Sequence, residues 1–155
     1  MAIHKIDGVD GTDGTGAINS FPKKFVTLYS ADTAITKGNW VMIHPTDATN
    51  GLGASVRDAI ASASDGLQSG LIVGVAAETI TAAGNILIQT AGKFENANVT
   101  TGLTVGMALT VTNANAGRAV QYISSTHTDT APCGVALETA ADNAGDVMIY
   151  DSGMF

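Results

Sequence analysis

Three aspartates, Asp7, Asp10 and Asp13, stand at every third position in the stretch "DGVDGTDG" near the start of the chain. Carboxylates in a glycine-rich loop are the raw material of a calcium site, but an EF-hand loop sets its ligands at alternate positions and closes on a glutamate. The spacing here fits a solvated arm instead. His4, His44 and His127 are scattered, and with Cys133 the single cysteine they make no spaced zinc set. Cys133 follows His127 closely enough for a nucleophile and its base, yet "PCG" brings no third group to orient the histidine. A lone cysteine beside an apolar strand is ordinarily a small buried hydrophobe. Glu78 and Glu138 recur in equivalent stretches. General acid–base work needs two carboxylates in one cleft with unlike environments, whereas a duplication gives them like environments in different places, so both read as strand-end hydrogen-bond acceptors. "GTDGTG" has no preceding strand, no following helix and no lysine, which removes phosphate cradling. No catalytic residue, metal ligand set or cofactor site is read from these residues.

Charge narrows the partners. Asp and Glu outnumber Lys and Arg by 14 to 7, for a formal charge of −7, which opposes binding to a phosphate backbone. No stretch approaches the ~18 consecutive apolar residues of a membrane span, and "MAIHKIDGVDG" has no apolar signal core. Neither nucleic acid nor a membrane is therefore expected as a partner. With one cysteine there is no internal disulfide, so the core or a partner must supply the stability.

What must position any functional surface is a duplication. "GVAAETITAAGNILIQTAGKF", from Gly74 to Phe94, returns at the end of the chain as "GVALETAADNAGDVMIYDSGMF", from Gly134 to Phe155. Gly74, Val75, Ala76, Glu78 and Thr79 match Gly134, Val135, Ala136, Glu138 and Thr139. With one extra residue allowed in the second copy, Ala83, Gly84, Ile88, Gly92 and Phe94 match Ala144, Gly145, Ile149, Gly153 and Phe155. Upstream, "KGNWVMI" (Lys37 to Ile43) parallels "VGMALTV" (Val105 to Val111). Each unit reads as strand, variable loop, short strand, glycine turn and strand, with the duplication spanning about 35–94 and 103–155. Gly84 and Gly145 fall where a strand-to-strand turn would require positive φ, and Gly92 and Gly153 are further structural turn glycines.

Alternation supports the strands. Val105, Met107, Leu109 and Val111 share one face, and Val41 and Ile43 take the same face in the first unit. Trp40 and Met42 then lie on the opposite face, where burial between packed sheets and contact with another subunit are both open. In the loops, "RAVQYIS" alternates as a strand, while Val56, Ala59, Ile60 and Ala63 have helical spacing at the parallel position, which stays ambiguous. Residues 1–20 have no period and read as an extended flexible arm. Residues 21–155 read as one all-β domain, a compact β-barrel or β-tulip-like body of two similar units, with Phe155 buried like Phe94.

The repeated pattern, "GLIVGVAAET" with "NILIQTAGKF" and again "TAPCGVALET" with "GDVMIYDSGMF", resembles the decoration (cement) proteins of tailed bacteriophage capsids, over about Ile35 to Phe155. That resemblance implies a structural, non-enzymatic virion protein made in the host cytoplasm. It would sit on the outer capsid surface as a homotrimer and clamp neighbouring major capsid proteins. Ile3, Ile6, Ile18 and Phe21 in the arm, with Trp40 and Met42, are then candidate contacts to capsid or to a neighbouring subunit. A glycan-binding or adhesin-like module that uses Trp40 for stacking is the alternative, and a small hydrolase using Cys133 and His127 is a third.

Overall fold

The computed structural model describes residues 22–30, 34–44, 55–59, 71–112, 114–127 and 131–153. Among them are nine strands and no helix: β1 (Lys24–Ser30), β2 (Trp40–Ile43), β3 (Val56–Asp58), β4 (Ile72–Ala76), β5 (Gly84–Asn98), β6 (Ala108–Val111), β7 (Ala119–Gln121), β8 (Gly134–Ala136) and β9 (Ala144–Ile149). Their order in the sheet is β1-β3-β2-β4-β5-β9-β8-β6-β7, and β1 also pairs with β5. The first five strands thus close into a barrel, the all-β architecture expected from the sequence. Of the segment whose spacing left helix and strand open, Val56–Asp58 form β3 while Ile60 and Ala63 lie outside the described residues, and its counterpart holds β7.

The duplication is written into the ladder. Trp40 pairs with Val75 and Val41 with Gly74, just as Ala108 pairs with Val135 and Leu109 with Gly134. Gly38 and Gly106 precede β2 and β6 with φ of 91° and 84°. Their amides donate to the carbonyls of Ala76 and Ala136, both at 2.9 Å. Backbone at that φ is open to glycine and strained for other residues, which explains why "KG" and "VG" open the two units. The strand of the second unit accordingly starts after Gly106, and Val105 points into solvent rather than joining the face of Leu109 and Val111.

β5 belongs to both units. Its first half pairs with β1, with Val26 opposite Ile88 and Phe25 opposite Gln89. Its second half pairs with β9, with Phe94 opposite Val147 and Lys93 opposite Met148. Ala76 faces Ile88 as Ala136 faces Val147, so β9 repeats the first half of β5 and the second half of β5 repeats β1. A parallel bridge joins Ser30 to Val56 in the first unit, and one joins Val99 to Ala119 in the second. Two five-stranded units therefore share a single 15-residue strand. This register moves the extra residue of the duplication to the first unit: Ile88 is equivalent to Val147, not to Ile149. The Gly92/Gly153 and Phe94/Phe155 identities are thus not ladder equivalences, and Phe155 lies outside the described residues.

The glycines sort differently from the expectation. Gly92 and Gly153 do adopt left-handed backbone, with φ of 88° and 69°. Gly84 and Gly145 do not, and sit in β5 and β9 with ordinary strand backbone; Gly92, despite its φ, lies within β5 and not in a turn. A side chain at Gly84 would meet nothing closer than the Ala82 carbonyl oxygen at 3.9 Å. Close backbone approach requires glycine at Gly74 and Gly134, where a Cβ would stand 2.0 Å from the Gln89 carbonyl oxygen and 2.6 Å from that of Met148.

Two cores result. Ile35, Val41, Val56, Val73, Ala76, Ile86 and Ile88 fill the first barrel, with Val26 and Leu28 of β1 packed against them. Leu109, Val111, Val147, Ile149, Phe94 and Val99 fill the second, and Trp40, Met42, Ile72 and Val75 join them from the outward face of the first barrel.

Candidate functional site

Trp40 and Met42 are 0% and 1% exposed. The sequence placed them correctly off the Val41/Ile43 face, but that face is covered within the chain, so neither is an accessible subunit, capsid or glycan contact. The indole lies against Gly134, whose missing side chain leaves the room it occupies: a Cβ there would come within 2.9 Å of Trp40 Cη2. Around it the main chain is laced across the seam. Trp40 N donates to Gly117 O (2.9 Å), Gly117 N to Ala59 O (2.8 Å), and Ala59 N to Trp40 O (2.7 Å). Trp40 Nε1 is buried without a hydrogen-bond partner. Beside it, Asn39 Nδ2 donates to both Asp58 carboxylate oxygens at 3.1 Å, Asn98 Nδ2 to Asn39 Oδ1 at 3.0 Å, and Arg118 Nε to Asn98 Oδ1 at 3.1 Å. This polar chain joins β3 and β5 to Asn39 and Arg118, the residues just before β2 and β7, and it reads as structural because its members satisfy one another.

The groups singled out for chemistry are engaged elsewhere. Cys133 is buried, its Sγ donates to Leu109 O at 3.4 Å, and burial pushes the thiol well above its ordinary value. A thiol held protonated in this way is no nucleophile at neutral pH. His127 Nδ1 accepts the Ile123 amide (2.9 Å), and its ring stacks on Tyr122. Glu78 and Glu138 act as read from the sequence: Glu78 Oε1 accepts Leu87 N at 2.7 Å and Glu138 Oε1 accepts Asp146 N at 2.9 Å, equivalent fastenings of the two hairpins. Among the described residues no three His, Cys, Asp or Glu side chains gather to hold a metal ion. Asp7, Asp10, Asp13 and His4, and the arm contacts Ile3, Ile6, Ile18 and Phe21, lie outside the described residues.

What the surface offers is aromatic and apolar. Phe25 and Tyr29 are 50% and 40% exposed on the outward face of β1, on either side of exposed Thr27. Leu87, opposite Thr27, is half-buried on the same face. Phe25, Thr27 and Tyr29 alternate with Val26 and Leu28 in "FPKKFVTLYS", and that alternation does not distinguish which of the two faces is left to solvent. Val105, Ile123 and Tyr150 are exposed as well. At the foot of β1, Lys24 Nζ binds Asp151, and that hydrogen bond lowers the Asp151 pKa. No protein-family model matches the chain, and no curated protein matches it.

Proposed function

We propose that this chain is a structural decoration protein of a tailed-phage capsid, bound to the outer shell across neighbouring major capsid proteins and assembling with copies of itself. The observation that carries the reading is the fusion of two like barrels through one shared strand and a tryptophan seated in the partner unit's core. Such a body resists shear between its halves, which is what a clamp across a subunit seam requires, and many copies make weak individual contacts effective. The exposed aromatic face of β1 supplies a surface for association. In this reading no reaction is catalysed, and the surfaces are the function. The glycan-binding alternative loses its stacking residue, since Trp40 is buried.

The test is to add the purified chain to capsids lacking it. Saturable binding at a fixed ratio to the major capsid protein, with a raised temperature of shell disruption, is the expected result. Absence of binding to shells, together with specific retention on a glycan surface, overturns the reading.

A further inference from the structure

The chain contains its own control for deciding which surface is meant to be covered. Because the second half of β5 repeats β1 and β9 repeats the first half of β5, each outward position of the first barrel has a counterpart in the second. Phe25 corresponds to Lys93, since one faces Gln89 and the other Met148 at equivalent rungs. Leu87 corresponds to Asp146, because each amide takes the hairpin glutamate. Tyr29 corresponds to Asn98, which face Asn85 and Ala144. In the second barrel this face is closed with charge: Lys93 Nζ lies 2.7 Å from Asp146 Oδ2 and 3.5 Å from Glu95 Oε1. The hydrogen bond to Asp146 raises the Lys93 pKa. In the first barrel the same scaffold carries Phe25, Leu87 and Tyr29 with no ion pair among them. A solvated answer exists at these positions, and the first barrel does not use it.

We propose that this face of β1 is a contact between two copies of the chain, in which the β1 strands meet antiparallel about a twofold axis at Thr27. Three observations favour a second copy over another occupant. The other apolar outward face of the first barrel, that of Trp40, Met42, Ile72 and Val75, is covered by a five-stranded unit of the same kind. Among the described residues, β1 is paired with β5 from Lys24 to Ser30 but with β3 only at Ser30, where the barrel closes, and the side of β1 left unpaired there is a template for another strand. The face is also self-complementary. A twofold at Thr27 sets Phe25 of each copy opposite Tyr29 of the other, giving two cross-strand aromatic pairs. Two half-exposed aromatics per copy contribute about 400 Å² across the pair, about a third of the ~1,200 Å² of the smallest specific interfaces. Strand pairing must supply the rest, so the contact is a reversible one. It is independent of the capsid reading and is a different contact from any threefold one.

Thr27→Cys in the full chain tests the axis, because only a twofold places residue 27 beside itself; buried Cys133 does not compete. Diamide oxidation, or a short bismaleimide, at micromolar protein is expected to yield a covalent dimer on a denaturing gel. The same treatment of Thr27→Cys carrying Phe25→Lys and Tyr29→Lys is expected to lose it. Sedimentation of the Phe25→Lys/Tyr29→Lys chain without the cysteine should show association weakened at least tenfold. The proposal is overturned if Thr27→Cys gives no dimer, or if the two lysines leave association unchanged. It also falls if deletion of residues 1–20 creates the dimer, since the arm of the same chain would then be the occupant.

Discussion

Replacing Trp40 measures how strongly the two barrels are joined. Trp40 is the single tryptophan and is wholly buried. A buried indole removes about 250 Å² from water, worth at most about 6 kcal/mol at 25 cal/mol/Å². Allowing for what alanine retains and for partial collapse of the cavity, Trp40→Ala should cost about 4 kcal/mol. The unpartnered Nε1 works the other way, because a buried donor with no acceptor costs about 1–3 kcal/mol. Trp40→Phe removes that donor and keeps most of the ring, so its net cost should be about 1 kcal/mol. Guanidinium unfolding followed by far-UV circular dichroism reads both variants. With a slope of about 4 kcal/mol/M for a chain of this size, the alanine variant should lose about 1 M in midpoint and the phenylalanine variant about a quarter of that. A loss below 1 kcal/mol for Trp40→Ala, or equal losses for the two variants, would refute the claim that this side chain holds the units together.

Gly92→Ala should lower the melting temperature by 5 °C or more, because φ is 88° and the new Cβ would stand 2.6 Å from the Pro22 carbonyl oxygen. Gly84→Ala, in ordinary strand backbone and open space, should leave it unchanged or slightly raised when measured by the same thermal scan. Cys133 should resist a disulfide reagent until the protein unfolds. Burial raises its pKa above the unfolded value of about 9, so the folded chain keeps a proton that the unfolded chain releases above that pH. Stability is therefore fully present below pH ~9 and falls above it, by up to about 1.4 kcal/mol per pH unit, and Cys133→Ala should flatten that fall. A fragment that starts at residue 84 keeps all five strands of the second barrel and should gain strand structure by circular dichroism, whereas one that starts at residue 100 lacks β5 and should not.

The duplication was legible because glycine cannot be replaced where its repeats occur: Gly38 with Gly106 for φ, and Gly74 with Gly134 for close backbone approach. The sharing of β5 was not legible. Its second half, "KFENAN", is polar, and the ladder shifts register between Phe94 and Ala97, where Asn96 takes φ of 59°, so alternation fails where the strand changes barrels. Identity at Gly92/Gly153 and Phe94/Phe155 then drew the extra residue to the wrong unit. For Trp40 the periodicity gave the correct face, but a two-residue period cannot say what covers a face, and here it is the chain's own second unit. Phe25 and Tyr29 posed the same question from the other side.

Duplication frees one copy's outer faces to change while both interiors stay under the same packing constraint. The interiors here have kept their kind, with Val41 and Leu109, Ile88 and Val147 at equivalent rungs. The exteriors have parted: Trp40 stands where the second unit has Ala108, and Phe25 where it has Lys93. Of the two apolar exteriors on the first barrel, one demonstrates what such a face is for in this molecule, since it seats a five-stranded unit so closely that Trp40 crosses into its core. A barrel that already docks a like unit through one face needs little further change to dock another through the opposite face. The second barrel, with Lys93, Asp146 and Glu95 tied together on the corresponding face, carries the charged form of the same surface.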